Sequence, residues 1–311
     1  MRAYFLFFLL LAAVASAQTT TSESRRFDLN GNPIPAESTS ESKTQADGRV
    51  VRTEYSVDAN GQKVPLASTE ETKVEQGGRT VVQQVIRRFD QNGVQTSTER
   101  VVSEETKLAS GAVDKKTSVY RSDMNGNENL DERAVTRTEG KTTVTNVEKR
   151  AFDGTLELAE RQTTTTDKNP NGEKSESSTF RKDNNGNLYE VVKQVHESKK
   201  QGNGTVDNDS TYVVQGDGRY ALQVQTVTRS VPQADGTVSK RIEVYGEQVP
   251  GTTNESGRPA LKEIQTVQEH KGPNGTIVAT TTSQKAEVTD NGRLTAPQVI
   301  SETVIAKKAG Q

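Results

Sequence analysis

The amino-acid sequence predicts an all-β protein: a long antiparallel, up-and-down β-meander of about 16–18 strands, strongly twisted or curled into a wide shell or barrel. Three observations predict it. Asp-x-Asn-Gly occurs five times, starting at Asp28, Asp58, Asp90, Asp123 and Asp183. The first four starts lie 30, 32 and 33 residues apart and the last gap is 60, with a degenerate Asp153-Gly154 midway. Asn-Gly accepts positive φ at both central positions of a type I′ turn, so a recurring copy is a hairpin signal and its period marks a repeat. A second set of turn signals falls at half period, at Asp47-Gly48, Gly77-Gly78, Ser110-Gly111, Glu139-Gly140, Asn171-Gly172, Asn203-Gly204, Asp235-Gly236 and Asn274-Gly275. Between turns, Val, Thr, Tyr, Gln, Arg and Glu dominate, and the β-branched and aromatic members favour strands. No apolar stripe of helical period follows the N-terminal segment.

In chain order, residues 1–17 read as a signal peptide. Arg2 supplies a positive start, Ala3 to Val14 is unbroken apolar sequence, and Ala15-Ser16-Ala17 is a small-x-small cleavage site, so the mature chain begins at Gln18. The expectation is export to the periplasm, cell surface or exterior. The apolar run is short for a bilayer span, and no transmembrane segment is expected in the mature chain. The chain has no cysteine, which removes a lipoprotein anchor and any disulfide framework.

Residues 18–200 form the regular hairpin array, with a period of about 30–33 residues. The turn spacing leaves strands of roughly 10–13 residues, ~35–40 Å long. Alternation places Val51, Thr53, Tyr55 and Val57 on one face, with Arg52, Glu54 and Ser56 opposite. It likewise places Val81, Val85 and Phe89 on one face, with Val82, Gln84, Ile86 and Arg88 on the other. Neither face is fully apolar. Glu41-Ser42-Lys43, Glu71-Thr72-Lys73 and Glu105-Thr106-Lys107 recur 13–15 residues after a main turn and predict charged ladders on a solvated face. Residues 201–311 are a degenerate continuation of the array. Its turns become irregular at Gly216-Asp217-Gly218, Pro250-Gly251 and Asn254 to Pro259, while Tyr220 to Val231 and Ile277 to Val288 remain strand-like.

Val, Leu, Ile and Phe make up about 18% of the mature chain, too little for a thick core and close to the level that accompanies disorder. A thin sheet held by ladders and cross-strand pairs, or a largely disordered secreted chain, is what remains. The formal net charge is −2, with both signs interleaved and no polybasic patch, so no nucleic-acid partner is expected.

Candidate chemistry is sparse. Asp123, Asn125, Asn127 and Asn129 follow an every-other-residue ligand spacing, but the sixth and twelfth places of a calcium loop hold Glu128 and Ala134 rather than glycine and a carboxylate. Turn formation explains all five copies without a metal. The chain's two histidines, His196 and His270, lack a spaced ligand set for zinc and read as surface residues. No Gly-x-Ser-x-Gly elbow and no cysteine offers a nucleophile. A carboxylate pair for glycoside hydrolysis would need a sugar cleft, commonly with aromatic platforms, and there is no Trp. Asn203, Asn208, Asn254 and Asn274 match the glycosylation sequon. A membrane barrel would need aromatic girdles, which ten aromatics scattered among some 17 or 18 strands do not promise. No catalytic, cofactor-binding or metal-binding residue is therefore expected, and no cofactor.

Gly48-Arg49, followed by Tyr55 and then Asp58-Ala59-Asn60-Gly61, resembles the YD repeats of Rhs-type bacterial secreted proteins. Gly78-Arg79 leading to Phe89-Asp90-Gln91-Asn92-Gly93 is similar. The resemblance covers residues 27–93 well and the rest loosely; the strands here are a few residues longer, and Tyr-Asp is mostly replaced by Phe-Asp or another pair. It implies extended antiparallel sheets that curl into shells or surface structures. The expected function is a non-enzymatic exported β-repeat scaffold or adhesion-type module presenting a broad polar sheet face to glycans or proteins. The alternatives are a secreted sugar-processing hydrolase with its site in 201–275, and a disordered chain.

Overall fold

A computed structural model of the chain describes residues 19–27, 37–45, 47–57, 60–123, 125–183, 185–247, 259–272, 276–287 and 293–308. The segment predicted as a signal peptide and the cleavage site expected after Ala17, the turn at Asp28 and the sequons at Asn254 and Asn274 lie outside these residues.

The first strands are β1 (Thr19–Arg26), β2 (Glu37–Thr44), β3 (Val50–Val57), β4 (Lys63–Gln76), β5 (Arg79–Phe89) and β6 (Gln95–Lys107). They continue as β7 (Val113–Ser122), β8 (Glu128–Glu139), β9 (Thr142–Arg150), β10 (Leu156–Asn169), β11 (Gly172–Lys182) and β12 (Leu188–Gln201). The rest are β13 (Gly204–Val214), β14 (Tyr220–Pro232), β15 (Val238–Gly246), β16 (Ala260–Lys271), β17 (Ile277–Glu287), β18 (Arg293–Leu294) and β19 (Gln298–Lys308). Apart from the short β18, each pairs antiparallel with its chain neighbours, as the sequence predicts. The sequence left open whether the sheet closes. It does: β17 pairs with β19, and β19 pairs with β1 from Thr19↔Lys308 to Arg26↔Ser301. Eighteen antiparallel strands thus form a ring, with β18 a two-residue ribbon on β17. Closure removes the unpaired edges that so wide a sheet would otherwise expose.

The ring has two kinds of rim. Odd-to-even hairpins, which include the Asp-x-Asn-Gly turns, all fall at one end. At Asp90 the loop closes through Gly93 N to Asp90 O and Asp90 N to Val94 O, with Gly93 at φ 75°. This is a three-residue loop, a type I turn followed by a left-handed glycine, rather than the two-residue type I′ turn expected from Asn-Gly. The aspartate explains the difference. Asp90 Oδ1 accepts from the amides of Asn92 and Val94 at 2.8 and 2.9 Å, and Asp123 and Asp183 repeat the pattern. The two-residue turn is found at the opposite end, where Gly77 and Gly78 have φ 60° and 79°.

Every even strand from β4 to β16, and β19, carries one extra residue near the Asp-x-Asn-Gly rim. The register skips Leu66, Thr96, Asp131, Ala159, Val191, Gln223, Lys262 and Ile300. Such bulges increase local twist and curvature, which a closing sheet requires.

Pairing register assigns every strand residue to one of two walls, and geometry says which wall is inside. The amides of Lys107, Thr166 and Lys200 donate back toward the preceding strand, to Gly78, Lys141 and Asn171. For L-residues, this puts each following strand on the right when seen from the wall bearing these side chains with odd strands upright. Traced round the ring, the pairings return to β1 about 20 residues nearer its C-terminal end. Right-handed coiling then makes that wall the concave one. The stagger corresponds to a tilt of about 40° and a bore on the order of 30 Å between backbones.

Among the described residues, Ala112 and Ile264 are the only buried apolar side chains. The barrel is held by its ladders and by half-buried cross-strand pairs. That is the thin construction its composition predicts.

Candidate functional site

The inner wall is lined by small hydroxyl residues. Cross-strand hydroxyl pairs form on it at Ser103–Thr117, Thr136–Thr145, Thr138–Thr143 and Thr164–Ser177, with oxygens 3.0, 2.9, 3.0 and 2.6 Å apart. Ser or Thr at these positions follows from strand propensity combined with a solvated face, and each pair adds a few tenths of a kcal/mol to about 1 kcal/mol. Charged pairs interrupt the hydroxyls, including Arg121–Glu99 and Arg181–Glu160.

The outer wall carries most of the aromatics, and they are not scattered. Tyr55, Phe89, Tyr120, Phe180, Tyr212 and Tyr245 all sit near the Asp-x-Asn-Gly end of odd strands and share the outward face. Each lies opposite the residue that precedes a bulge: Pro65, Gln95, Leu130, Glu190, Leu222 and Leu261. The result is a belt of aromatic and leucine side chains beneath one rim. Cations stack on it, with the Arg100 guanidinium 4.1 Å from the Tyr120 ring centre and bonded to Glu128 two strands away at 2.8 Å. Lys63 over Tyr55 and Lys193 over Tyr220 repeat the arrangement at 5.6 Å. Tyr189 alone among the strand aromatics faces inward. Tyr55, Phe89, Tyr120, Phe180 and Tyr212 precede their turns by one or three residues, an odd spacing that preserves the face.

Below the belt the outer wall is charged. Arg229, Arg241 and Tyr245 converge on Glu243 at 3.0, 2.9 and 3.0 Å. Burial alone would raise the Glu243 pKa, but these three donors outweigh it and hold the carboxyl below its usual range. Arg133–Glu148 is a similar pair. Among the described residues, charges therefore stand at mid-strand on both walls.

The calcium-like spacing at Asp123 is resolved by its own turn. The amides of Asn127 and Asn125 bond to the Asp123 carboxylate and lower its pKa, as Asn187 and Asn185 do for Asp183. Among the described residues no cluster of three or more His, Cys, Asp or Glu side chains is placed to hold a metal. His270 lies on the outer wall of β16.

His196 is more interesting. It faces the bore, with Nδ1 2.7 Å from Asp209 Oδ1. On its other side is Ser175, its direct partner on β11. Carboxylate, imidazole and hydroxyl therefore stand in the order of a hydrolytic triad across β13, β12 and β11. Among the described residues no bond joins Ser175 Oγ to the ring, and the amides of β11, β12 and β13 around it are paired in the ladders rather than grouped toward the bore as an oxyanion would require. The row lines a hollow of about 190 Å³ with Ser177, Gln194 and Thr211. The pair was readable from sequence by counting outward from the Gly202-Asn203 turn, which sets residue 196 against 209.

No helix among the described residues is long and apolar enough to cross a membrane. No family model matches the chain, and no curated protein matches it in sequence. Solved structures do resemble it in fold. Pseudomonas aeruginosa OccK2 (OpdF), solved in complex with glucuronate, aligns over 94% of this chain and 97% of its own at 11% identity, with a TM-score of 0.52. P. aeruginosa OccK3 (OpdO) covers 94% and 95% at 9% identity and TM-score 0.52, and OccK5 (OpdH) 94% and 97% at 10% identity and TM-score 0.52. At such identities the likeness is one of fold, and the fold is a closed, 18-stranded, up-and-down barrel.

Proposed function

We propose that the mature chain is an exported, non-enzymatic barrel of the cell envelope or surface that binds glycans or proteins through its polar walls. One observation carries this reading: the bore is lined by Ser, Thr and Gln on most strands, without a nucleophile–oxyanion arrangement or a metal cluster among the described residues. A hydroxyl-rich wall offers many paired donors and acceptors and little apolar area, which suits weak, repeated recognition of hydroxylated chains. The YD-type likeness supports the same extracellular setting. Binding of residues 18–311 to immobilised glycans and envelope proteins tests it, with hairpins removed one pair at a time. Retention should weaken gradually as hairpins are lost. No binding to any glycan or protein, or abrupt loss on deleting 201–275 alone, sinks the scaffold reading.

A second reading, passage of small polar solutes, is favoured by one observation. Barrels of 16–18 strands leave an aqueous bore, and here the bore is hydrophilic. Against it stand the charges at mid-height on the outer wall. Stepwise conductance in a planar bilayer would favour passage. A protein that stays in the aqueous phase with vesicles present would favour the binding module.

A further inference from the structure

We infer that the His196–Asp209 row on the inner wall is a binding niche for a neutral polyhydroxylated ligand, a single sugar ring or sugar-chain unit. The inference rests on the binding-module reading and places its contact at one address. Because the Asp209 carboxylate can only accept, the 2.7 Å contact requires a proton on His196 Nδ1, and in the neutral ring Nε2 is then an acceptor. Among the described residues, Asp209 Oδ2 carries no other side-chain bond. Two acceptors side by side, with their orientation fixed by each other, suit a pair of donating hydroxyls such as a vicinal diol.

The neighbours complete the pattern. Ser175 is the cross-strand partner of His196, and Gln194 sits between Ser177 and Thr211 on the next row. Ser177 is already bonded to Thr164 at 2.6 Å, which fixes its hydroxyl. Ser175, Gln194 and Thr211 make no other side-chain bond among the described residues. They can donate or accept as a ligand requires. The hollow, about 190 Å³, is below the usual range for drug-sized sites and suits one ring rather than a large cofactor. Asp207 lies two residues from Asp209 on the same wall, so the local charge is negative and an anionic ligand is disfavoured.

The two histidines make the test direct, since His270 on the outer wall is an internal control. In spectra of ¹⁵N-histidine-labelled 18–311, the His196 imidazole signals should shift with at least one of methyl α-glucoside, methyl β-galactoside and methyl α-mannoside, while His270 stays still. Glucuronate should shift them at least about tenfold less effectively. Asp209→Asn and Gln194→Ala should each weaken the response about tenfold, the scale of one charged or well-placed hydrogen bond. Both positions face the bore, and unchanged strand circular dichroism would confirm folding. The niche is overturned if no neutral glycoside moves His196, if His270 moves equally, or if glucuronate is as effective. Glycan retention that persists in Asp209→Asn and Gln194→Ala overturns the niche and leaves the binding module intact. Absence of all glycan and protein binding overturns both.

Discussion

The two ends of this barrel solve the same problem by different means. At the Asp-x-Asn-Gly end, a side chain organises the loop: aspartate gathers two amides at Asp90, Asp123 and Asp183, glycine takes the left-handed position, and a bulge follows three or five residues after it on the returning strand. An outward aromatic faces six of the eight breaks in register there, all but those at Ala159 and Ile300. At the other end three hairpins, at Gly77-Gly78, Gly140-Lys141 and Gly202-Asn203, reverse in two residues through bare backbone. At others Asp47, Ser110, Asn169 and Asp235 each accept a bond from one backbone amide, and no bulge intervenes. The first end is a curved, decorated rim whose side chains do the organising. The second is tight and depends on close backbone approach. Curvature and aromatic area are thus concentrated in the same third of six of the hairpins, which is where a closing sheet needs help to bend.

Substituting glycine at each end separates these designs. At Gly204, on the tight end, an added Cβ would run into the Ser230 carbonyl oxygen of β14. Gly204→Ala should therefore force the backbones apart and cost about 2–4 kcal/mol. At Gly126, on the decorated end, φ is 81° but nothing lies near the new Cβ; Gly126→Ala should cost only about 1–2 kcal/mol, the left-handed penalty. Urea midpoints of the two variants would show the gap. Equal losses would mean that backbone spacing at the tight end is slack.

Tyr120→Ser comes next in size. It removes the ring beneath Arg100 and its contact with Leu130, and should cost about 1–2 kcal/mol. The Arg100–Glu128 pair should also lose order, visible as faster proton exchange at the guanidinium. Tyr189→Ser, on the inward face, should cost less. If the two tyrosines are equivalent, the belt has no structural weight.

The smallest effect is local and depends on pH. Asp123 and Asp183 have depressed folded pKa values, set first by the Asn127 and Asn187 amides respectively. A carboxylate with a depressed folded pKa contributes above its unfolded value, near 3.9, and loses that contribution as pH falls through the lower folded value. The amides of Asn125, Asn127, Asn185 and Asn187 should therefore lose protection as pH drops below about 4, with Gly77 and Gly78 unaffected. Protection that changes equally at both ends would remove the aspartates from the account.

Much of this was legible in the sequence. The period of Asp-x-Asn-Gly gave the meander, and alternation placed Val51, Thr53, Tyr55 and Val57 together, as the register confirms. Closure was not legible, because pairing Thr19 with Lys308 joins residues at opposite ends of the chain and leaves no local mark. The turn type was misjudged at Asp90 because the aspartate side chain, rather than Asn-Gly alone, decides the loop. The inner niche was hidden for a different reason. His196 and Asp209 look unrelated until the two-residue turn between them is used as a ruler, and the inward direction follows only from the stagger of the whole ring.

That antiparallel seam between β1 and β19 restricts how such a chain can change size. Only an even strand count lets the last strand meet the first in opposite direction, so a duplication or loss must involve a whole hairpin, about one repeat of 30-odd residues. Each such event would widen or narrow the bore by one fixed increment while leaving the wall chemistry nearly untouched. Diameter in this architecture is a quantity inherited in steps.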